Sequence, residues 1–171
     1  MFRSPDQLSQ LPEVRGRWPG SCFGCSAGHP HGLRLRFRHT ETGVVSLCTV
    51  PAEFCSFDGM VHGGIITALL DEAAAWALMA RHGRLGVTRE LTSRFLKPVP
   101  TGTTLQLEAR IVSFAPPAAE VATAIHDAGG LCLAEGTSSW AFPRLERIAA
   151  LAGVPEQTLQ RFLDDCQLPG G

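Results

Sequence analysis

The residues best suited to chemistry in this chain fall in one stretch, Val61-His62-Gly63-Gly64-Ile65-Ile66-Thr67-Ala68-Leu69-Leu70-Asp71-Glu72-Ala73. Two glycines ahead of an apolar run let another group approach the backbone closely. If a helix starts there, its first N–H groups have no intrahelical partners and sit at the positive end of the helix dipole. Such groups can hold negative charge developing on an oxygen. Asp71 stands two turns further on, in otherwise apolar surroundings. A carboxylate in that position must find a structural partner or be poised for chemistry. Glu72 points about 100° around the same helix. It is the alternative acid, and a salt bridge is its structural reading. His62, just before the helix, either orders the preceding loop or serves as a catalytic histidine.

The elements that must position these groups are legible in the hydrophobic pattern. Gly63 to Arg81 is rich in Leu and Ala and contains no Pro, so it reads as the longest helix. Its apolar residues point in nearly every direction, and a helix apolar all round is expected to be buried all round. Leu33-Arg34-Leu35-Arg36-Phe37-Arg38 alternates strictly, which predicts a strand with its three Arg side chains on one face. That Arg ladder has two readings, a solvated face or a phosphate contact. Gly43 breaks the run, Val44 to Val50 reads as its hairpin partner, and Pro51 to Met60 reads as a loop. Val87 to Leu96, Thr104 to Phe114, Val121 to His126 and Leu131 to Phe142 read as further strands between turn-forming segments. Leu145, Ile148, Ala149 and Ala152, then Leu159, Phe162, Leu163 and Cys166, mark two short one-sided helices. The order β-β-α-β-β-β-β predicts an α+β fold, an antiparallel sheet wrapped around one long central apolar helix. One sheet cannot cover such a helix on every side, so a second protomer is expected. The expected organisation is a lead-in over 1–32 with a short helix near Asp6 to Gln10, a main domain over 33–142 and a helical extension over 143–171.

Composition narrows the function classes. The 171 residues are 44% hydrophobic and 18% charged, with a formal net charge of −1, which fits one well-buried domain with short extensions. This balance argues against disorder and against nucleic acid as a partner, since phosphate binding needs a basic surplus. The longest uninterrupted apolar run, Ala73 to Ala80, is short of the roughly 20 residues that span a bilayer. The first 20 residues contain no apolar signal core, and the six cysteines are not spaced as a disulfide framework. A cytoplasmic protein with reduced thiols, no membrane partner and no cofactor is expected. Cys22, Cys25, His29 and His31 have the chemistry of zinc ligands, but His29 and His31 are too close for the usual His spacing. A packed loop without metal is the expectation there.

His62-Gly63-Gly64, with Asp71 nine residues after the His, resembles the hotdog-fold acyl-CoA thioesterases of the phenylacetate-pathway (PaaI-like) type. Supporting residues are Cys22-Phe23-Gly24-Cys25 before Gly32-Leu33, then Val87-Thr88-Arg89-Glu90-Leu91 and Arg94-Phe95-Leu96-Lys97-Pro98. The resemblance spans approximately residues 22–142 and implies a hotdog fold that hydrolyses acyl-CoA to free acid and CoA. It implies that the Gly63 N–H binds the thioester carbonyl and that Asp71 acts as nucleophile or as general base. Thr88 matches the hydroxyl residue that positions water. The loop Asn that the family often places six residues before the His is Ser56 here, with Asp58 nearby. His62, Gly64, Ser56, Arg94 and Lys97 are the expected substrate contacts, the last two toward CoA phosphates.

Spacing bears on assembly. Gly63 and Asp71 are eight residues apart, about 12 Å along one helix. An oxyanion donor and a nucleophile must both come within about 3 Å of one carbonyl group. One helix cannot achieve that, so the two groups are expected from antiparallel helices of two subunits, in a homodimer or a dimer of dimers. A non-catalytic acyl-CoA-binding module and a hydratase or dehydratase using His62 are the alternative functions. The acyl group is left open.

Overall fold

The computed structural model describes residues 2–168, so the final residues of the expected C-terminal extension lie outside the described residues. The chain runs α1 (Pro5–Ser9), β1 (Arg38–His39), β2 (Gly43–Thr49), β3 (Cys55–Phe57), β4 (Met60–Val61), α2 (Gly63–His82), β5 (Val87–Phe95), β6 (Thr104–Ala115), β7 (Ala118–His126), β8 (Cys132–Ala141), α3 (Leu145–Ala152) and α4 (Glu156–Cys166). Six strands form one sheet in the order β1-β2-β6-β7-β8-β5, and every pairing is antiparallel. The sheet wraps the long helix α2, the α+β arrangement expected from the sequence. β5 and β6 are consecutive but not neighbours, because β5 pairs with β8 at the sheet edge. Hairpin connections alone therefore do not describe the sheet.

α2 stops where Gly83 takes the left-handed conformation (φ 58°) that closes helices at low cost. Ile66, Leu69, Leu70, Ala73, Ala74 and Trp76 to Ala80 are buried. Gly64 is exposed, and Ala68, Asp71 and Ala75 are only half-buried. These four share one helical stripe, so the helix is not buried all round within one chain. The sheet covers one side of α2 and the terminal extensions cover another, which leaves the stripe open. By length and composition α2 could cross a bilayer, although its longest unbroken apolar run is shorter. Here it is the core helix.

The lead-in takes a place expected for a strand. Only Arg38 and His39 pair with β2. Leu33 and Leu35 donate their N–H groups to Phe23 and Gly24, and the Phe37 carbonyl accepts from Val14. Arg34 adopts φ 52°, which breaks the extended run. Leu35 and Phe37 still face inward. The Arg ladder braces the lead-in, because each guanidinium donates to its carbonyls: Arg34, which stays exposed, to His29 and Pro30, Arg36 to Cys25, and Arg38 to Leu11. The segment read as a loop before α2 contains a 3-10 turn over Ala52–Phe54 and the small β3/β4 hairpin. Stacked and edge-on rings join the parts of the chain: Phe37 on Trp76, Trp76 on Phe162, and Phe162 on Trp18. Val14, Cys25, Phe162 and Cys166 share one buried cluster with Leu69 and Leu107, so both extensions contribute to the domain core.

Candidate active site on the open edge of the central helix

The start of α2 is fixed by two backbone bonds, Val61 N–H to Val99 O (2.8 Å) and His62 N–H to Phe54 O (2.9 Å). His62 is the N-cap, and its Nδ1 accepts the Gly64 N–H at 2.9 Å. Its carbonyl accepts from Ile65 and Ile66 at 2.9 and 3.1 Å. Three of the four first-turn N–H groups are thereby used. The Gly63 N–H has no acceptor among the described residues, so it is the donor left for a ligand. Gly64, expected as a substrate contact, has already given its N–H to His62.

β5 runs back along α2. The ring of Phe95 lies beside Gly63, where an added Cβ would meet it at 3.7 Å. Thr67 Oγ1 donates to Gly63 O at 3.1 Å and lies 3.5 Å from Ser93 Oγ. Thr88 Oγ1 donates to Asp71 Oδ1 at 2.7 Å. Gly63, Thr67 and Asp71 thus face one strand in order. Ser93 faces the helix, and strict alternation would turn Arg89 toward it as well. The pairing with β8 shifts register between Thr88 and Glu90, and this bulge hands the inward place to Thr88. Thr88 is exposed and Asp71 half-buried, so the pair is accessible from the open edge.

The structure disperses the other expected contacts. Ser56 is exposed on β3, and Asp58 is exposed in the turn that follows. Arg94 is on the face of β5 opposite Ser93 and pairs with Glu135 at 2.6 Å. It lines a groove of about 430 Å³ on the outer sheet face, with Thr92, Glu108, Arg110 and Thr137. That groove includes neither Gly63 nor Asp71. Lys97 is exposed just beyond β5, its backbone N–H bonded to Leu133 O at 3.0 Å.

Glu72 is not in a salt bridge among the described residues. Its Oε1 accepts the Trp76 indole N–H at 2.9 Å, and both its oxygens lie 3.6 Å from Cys22 Sγ. Cys22 Sγ also accepts the Gly24 N–H at 3.3 Å. The hydrogen bond with Cys25 and the loop N–H groups hold the Cys22 thiol down at about 7, against burial and the Glu72 charge. The same thiol–thiol bond and burial push Cys25 up. His29 packs edge-on against Phe23, and its Nδ1 accepts the His31 N–H, so neither histidine joins the cysteines. Residue type puts those histidines beside the cysteines, although their spacing argues against metal, and it misses Glu72, which lies far away in sequence.

This architecture is the hotdog fold. Residues 58–134, the segment that carries α2 and most of the strands around it, match the family model of the thioesterase superfamily. Among solved structures, the E. coli PaaI protein of the phenylacetic acid degradation operon is 23% identical. That match covers 65% of this chain and 80% of that one, with a TM-score of 0.60. A Streptococcus mutans protein bound to acetyl-CoA is 22% identical over 64% of this chain and 88% of its own, with a TM-score of 0.59. Zebrafish thioesterase superfamily member 2 is 20% identical over 64% and 81%, with a TM-score of 0.59. A comparison with curated proteins yields no significant match.

Proposed function

We propose that this protein hydrolyses acyl-CoA thioesters to free acid and CoA, at sites shared between two copies of the chain. The observation that carries the reading is the presence, on the β5 side of α2, of both a free Gly63 N–H and an Asp71 carboxylate oriented by Thr88. The Gly63 N–H, aided by the helix dipole, stabilises the oxyanion that forms on the thioester carbonyl. Asp71 has two routes. It attacks the carbonyl carbon and expels CoA thiolate, leaving an acyl-aspartyl anhydride that water then hydrolyses. Alternatively it takes a proton from water, which adds to the carbon before the thiolate leaves. In both routes the thiolate leaves as CoA, and the Thr88 hydroxyl keeps Oδ1 occupied so that Oδ2 faces the substrate.

Two copies are needed because Gly63 and Asp71 are about 12 Å apart along one helix. Support comes from the edge that β5 leaves unpaired and from exposed Phe57, Val87, Phe95 and Leu96. An antiparallel two-fold arrangement would set Gly63 of one protomer against Asp71 and Thr88 of the other. Similarity to the acetyl-CoA-bound Streptococcus mutans protein supports CoA as the carrier. Exposed Lys97 is the candidate for its phosphates, whereas Arg94 is committed to Glu135.

Thiol release measured over aryl-, medium- and long-chain acyl-CoAs tests the reading. Release is expected with at least one class, and Asp71→Asn should abolish most of it while leaving the melting temperature unchanged. Binding of acyl-CoA without release would make the chain a carrier module. Hydration of an enoyl-CoA that depends on His62 would make it a hydratase.

A further inference from the structure

On the side of α2 turned toward the lead-in, two sulfurs and a carboxylate converge outside the proposed hydrolytic site. The donor atoms of Cys22, Cys25 and Glu72 all lie within 4.8 Å of one another. A tetrahedral zinc ion with bonds of about 2.3 Å to sulfur and about 2.1 Å to oxygen holds those two atoms about 3.6 Å apart. The Cys22 Sγ to Glu72 carboxylate distances are 3.6 Å.

The surroundings orient these atoms as ligands. The Gly24 N–H points at Cys22 Sγ, a bond that favours the thiolate. The Trp76 indole fixes one Glu72 oxygen, as outer partners of metal-bound carboxylates do. The loop itself is anchored, with Ser26 N–H on Cys22 O (3.1 Å), Leu33 N–H on Phe23 O (2.8 Å) and Leu35 N–H on Gly24 O (2.9 Å). Gly24 has no side chain, and any Cβ there would collide with the Glu72 carboxylate. No positive side chain already balances the cluster among the described residues. Arg36, the guanidinium that reaches the loop, donates to the Cys25 carbonyl at 3.5 Å and not to the acid.

We propose that Cys22, Cys25 and Glu72 bind a zinc ion that fastens the lead-in to α2, with a fourth position open to water. Two soft sulfurs and one carboxylate select zinc over magnesium or calcium. Binding displaces the thiol protons to solvent and leaves both sulfurs as thiolates. Because the ligands come from a loop and a helix distant in sequence, the ion stabilises the folded chain by mass action. The site is independent of thioester hydrolysis and carries no step of it.

The test uses the full chain, stripped of metal and kept reduced with a phosphine. It is dialysed against zinc or cobalt(II) and assayed for bound metal. About one equivalent is expected, with a rise in melting temperature on adding zinc. Cobalt should give a near-ultraviolet thiolate-to-metal band. Cys22→Ser and Cys25→Ser should each weaken that band, and Glu72→Gln should lower affinity about tenfold or more. Gly24→Ala should interfere through the same carboxylate. Absence of stoichiometric metal in the reduced wild-type chain would overturn the proposal. So would cobalt bound without the thiolate band, or binding equal in the Cys22→Ser/Cys25→Ser double variant. The wild-type measurements require no variant to fold.

Discussion

Asp71 and Glu72 are consecutive acids on one helix, yet they meet different surroundings. Asp71 faces the open edge and, among the described residues, accepts one hydrogen bond, from the exposed Thr88 hydroxyl. Glu72, about 100° away, is enclosed by the Trp76 indole, the Cys22 thiol and the tight turn at Gly24. An acid with spare lone pairs beside an open edge can react with something that arrives there. An acid whose oxygens are held by its own fold is suited to binding and bracing. One helical step separates the two roles, and residue type does not distinguish them.

The largest expected effect tests that contrast directly. Asp71→Asn should lower turnover by about 10²–10⁴-fold, the range for losing an acid–base group, with an unchanged melting temperature. Glu72→Gln should do the reverse, keeping turnover and lowering the melting temperature. Exchange of the two phenotypes would transfer the reaction to Glu72. Gly63→Pro comes next. Pro is well tolerated at the first helical position, and His62 already has the extended backbone (φ −61°, ψ 137°) that a following Pro requires. The variant therefore removes the free N–H with the helix kept, and kcat should fall about 10²–10³-fold. Full activity in this variant would remove Gly63 from the mechanism.

On the Glu72 side, Trp76→Phe deprives the carboxylate of its indole donor. Stability should fall by about 1.5–3 kcal/mol, the scale of a hydrogen bond to a charged group, with thioester turnover retained. Chemical denaturation beside the thiol-release assay reads both. The smallest effect is a pH dependence at a site away from both acids. His39 is buried, its Nδ1 has no partner among the described residues, and burial followed by the Arg81 charge pushes its pKa below 6.5. The unfolded chain therefore binds the proton more readily. Stability from this group is complete above pH 6.5 and is lost as pH falls from there toward the folded value. The urea midpoint should drop modestly between pH 7.5 and 5.5 and drop less in His39→Gln; a rise on acidification would contradict this.

Much of the fold was legible because composition, turn-formers and helical spacing carried it. α2 follows from its Leu and Ala content without Pro, β5 to β8 from the turn-forming segments that separate them, and the one-sided α4 from apolar residues at helical spacing. The Leu33–Phe37 segment was misread because its alternation is real, but the lead-in bonds to it in place of β2. At the candidate site, residue types and spacing picked out the helix start at Gly63 and the acid Asp71, and the family resemblance added Thr88. They could not show why Thr88 and not Arg89 faces the helix, since that depends on a bulge set by pairing with β8. Nor could they show that His62 consumes the Gly64 N–H and leaves that of Gly63 free. Glu72 was open to misreading because its partners lie in a loop about 50 residues earlier. Residue type alone suggested His29 and His31 beside the cysteines, their spacing argued against metal, and the fold turns them elsewhere.

The central claim is that one working site takes its N–H donor from one protomer and its acid from another. Co-expressing Gly63→Pro and Asp71→Asn chains and assaying thiol release from the mixture tests it most directly. Each variant alone should be nearly inactive. In a random mixture half the dimers are mixed, and each mixed dimer regains one of its two sites, so activity should return to about one quarter of wild type. Formation of mixed dimers with no recovery of activity would contradict the shared site.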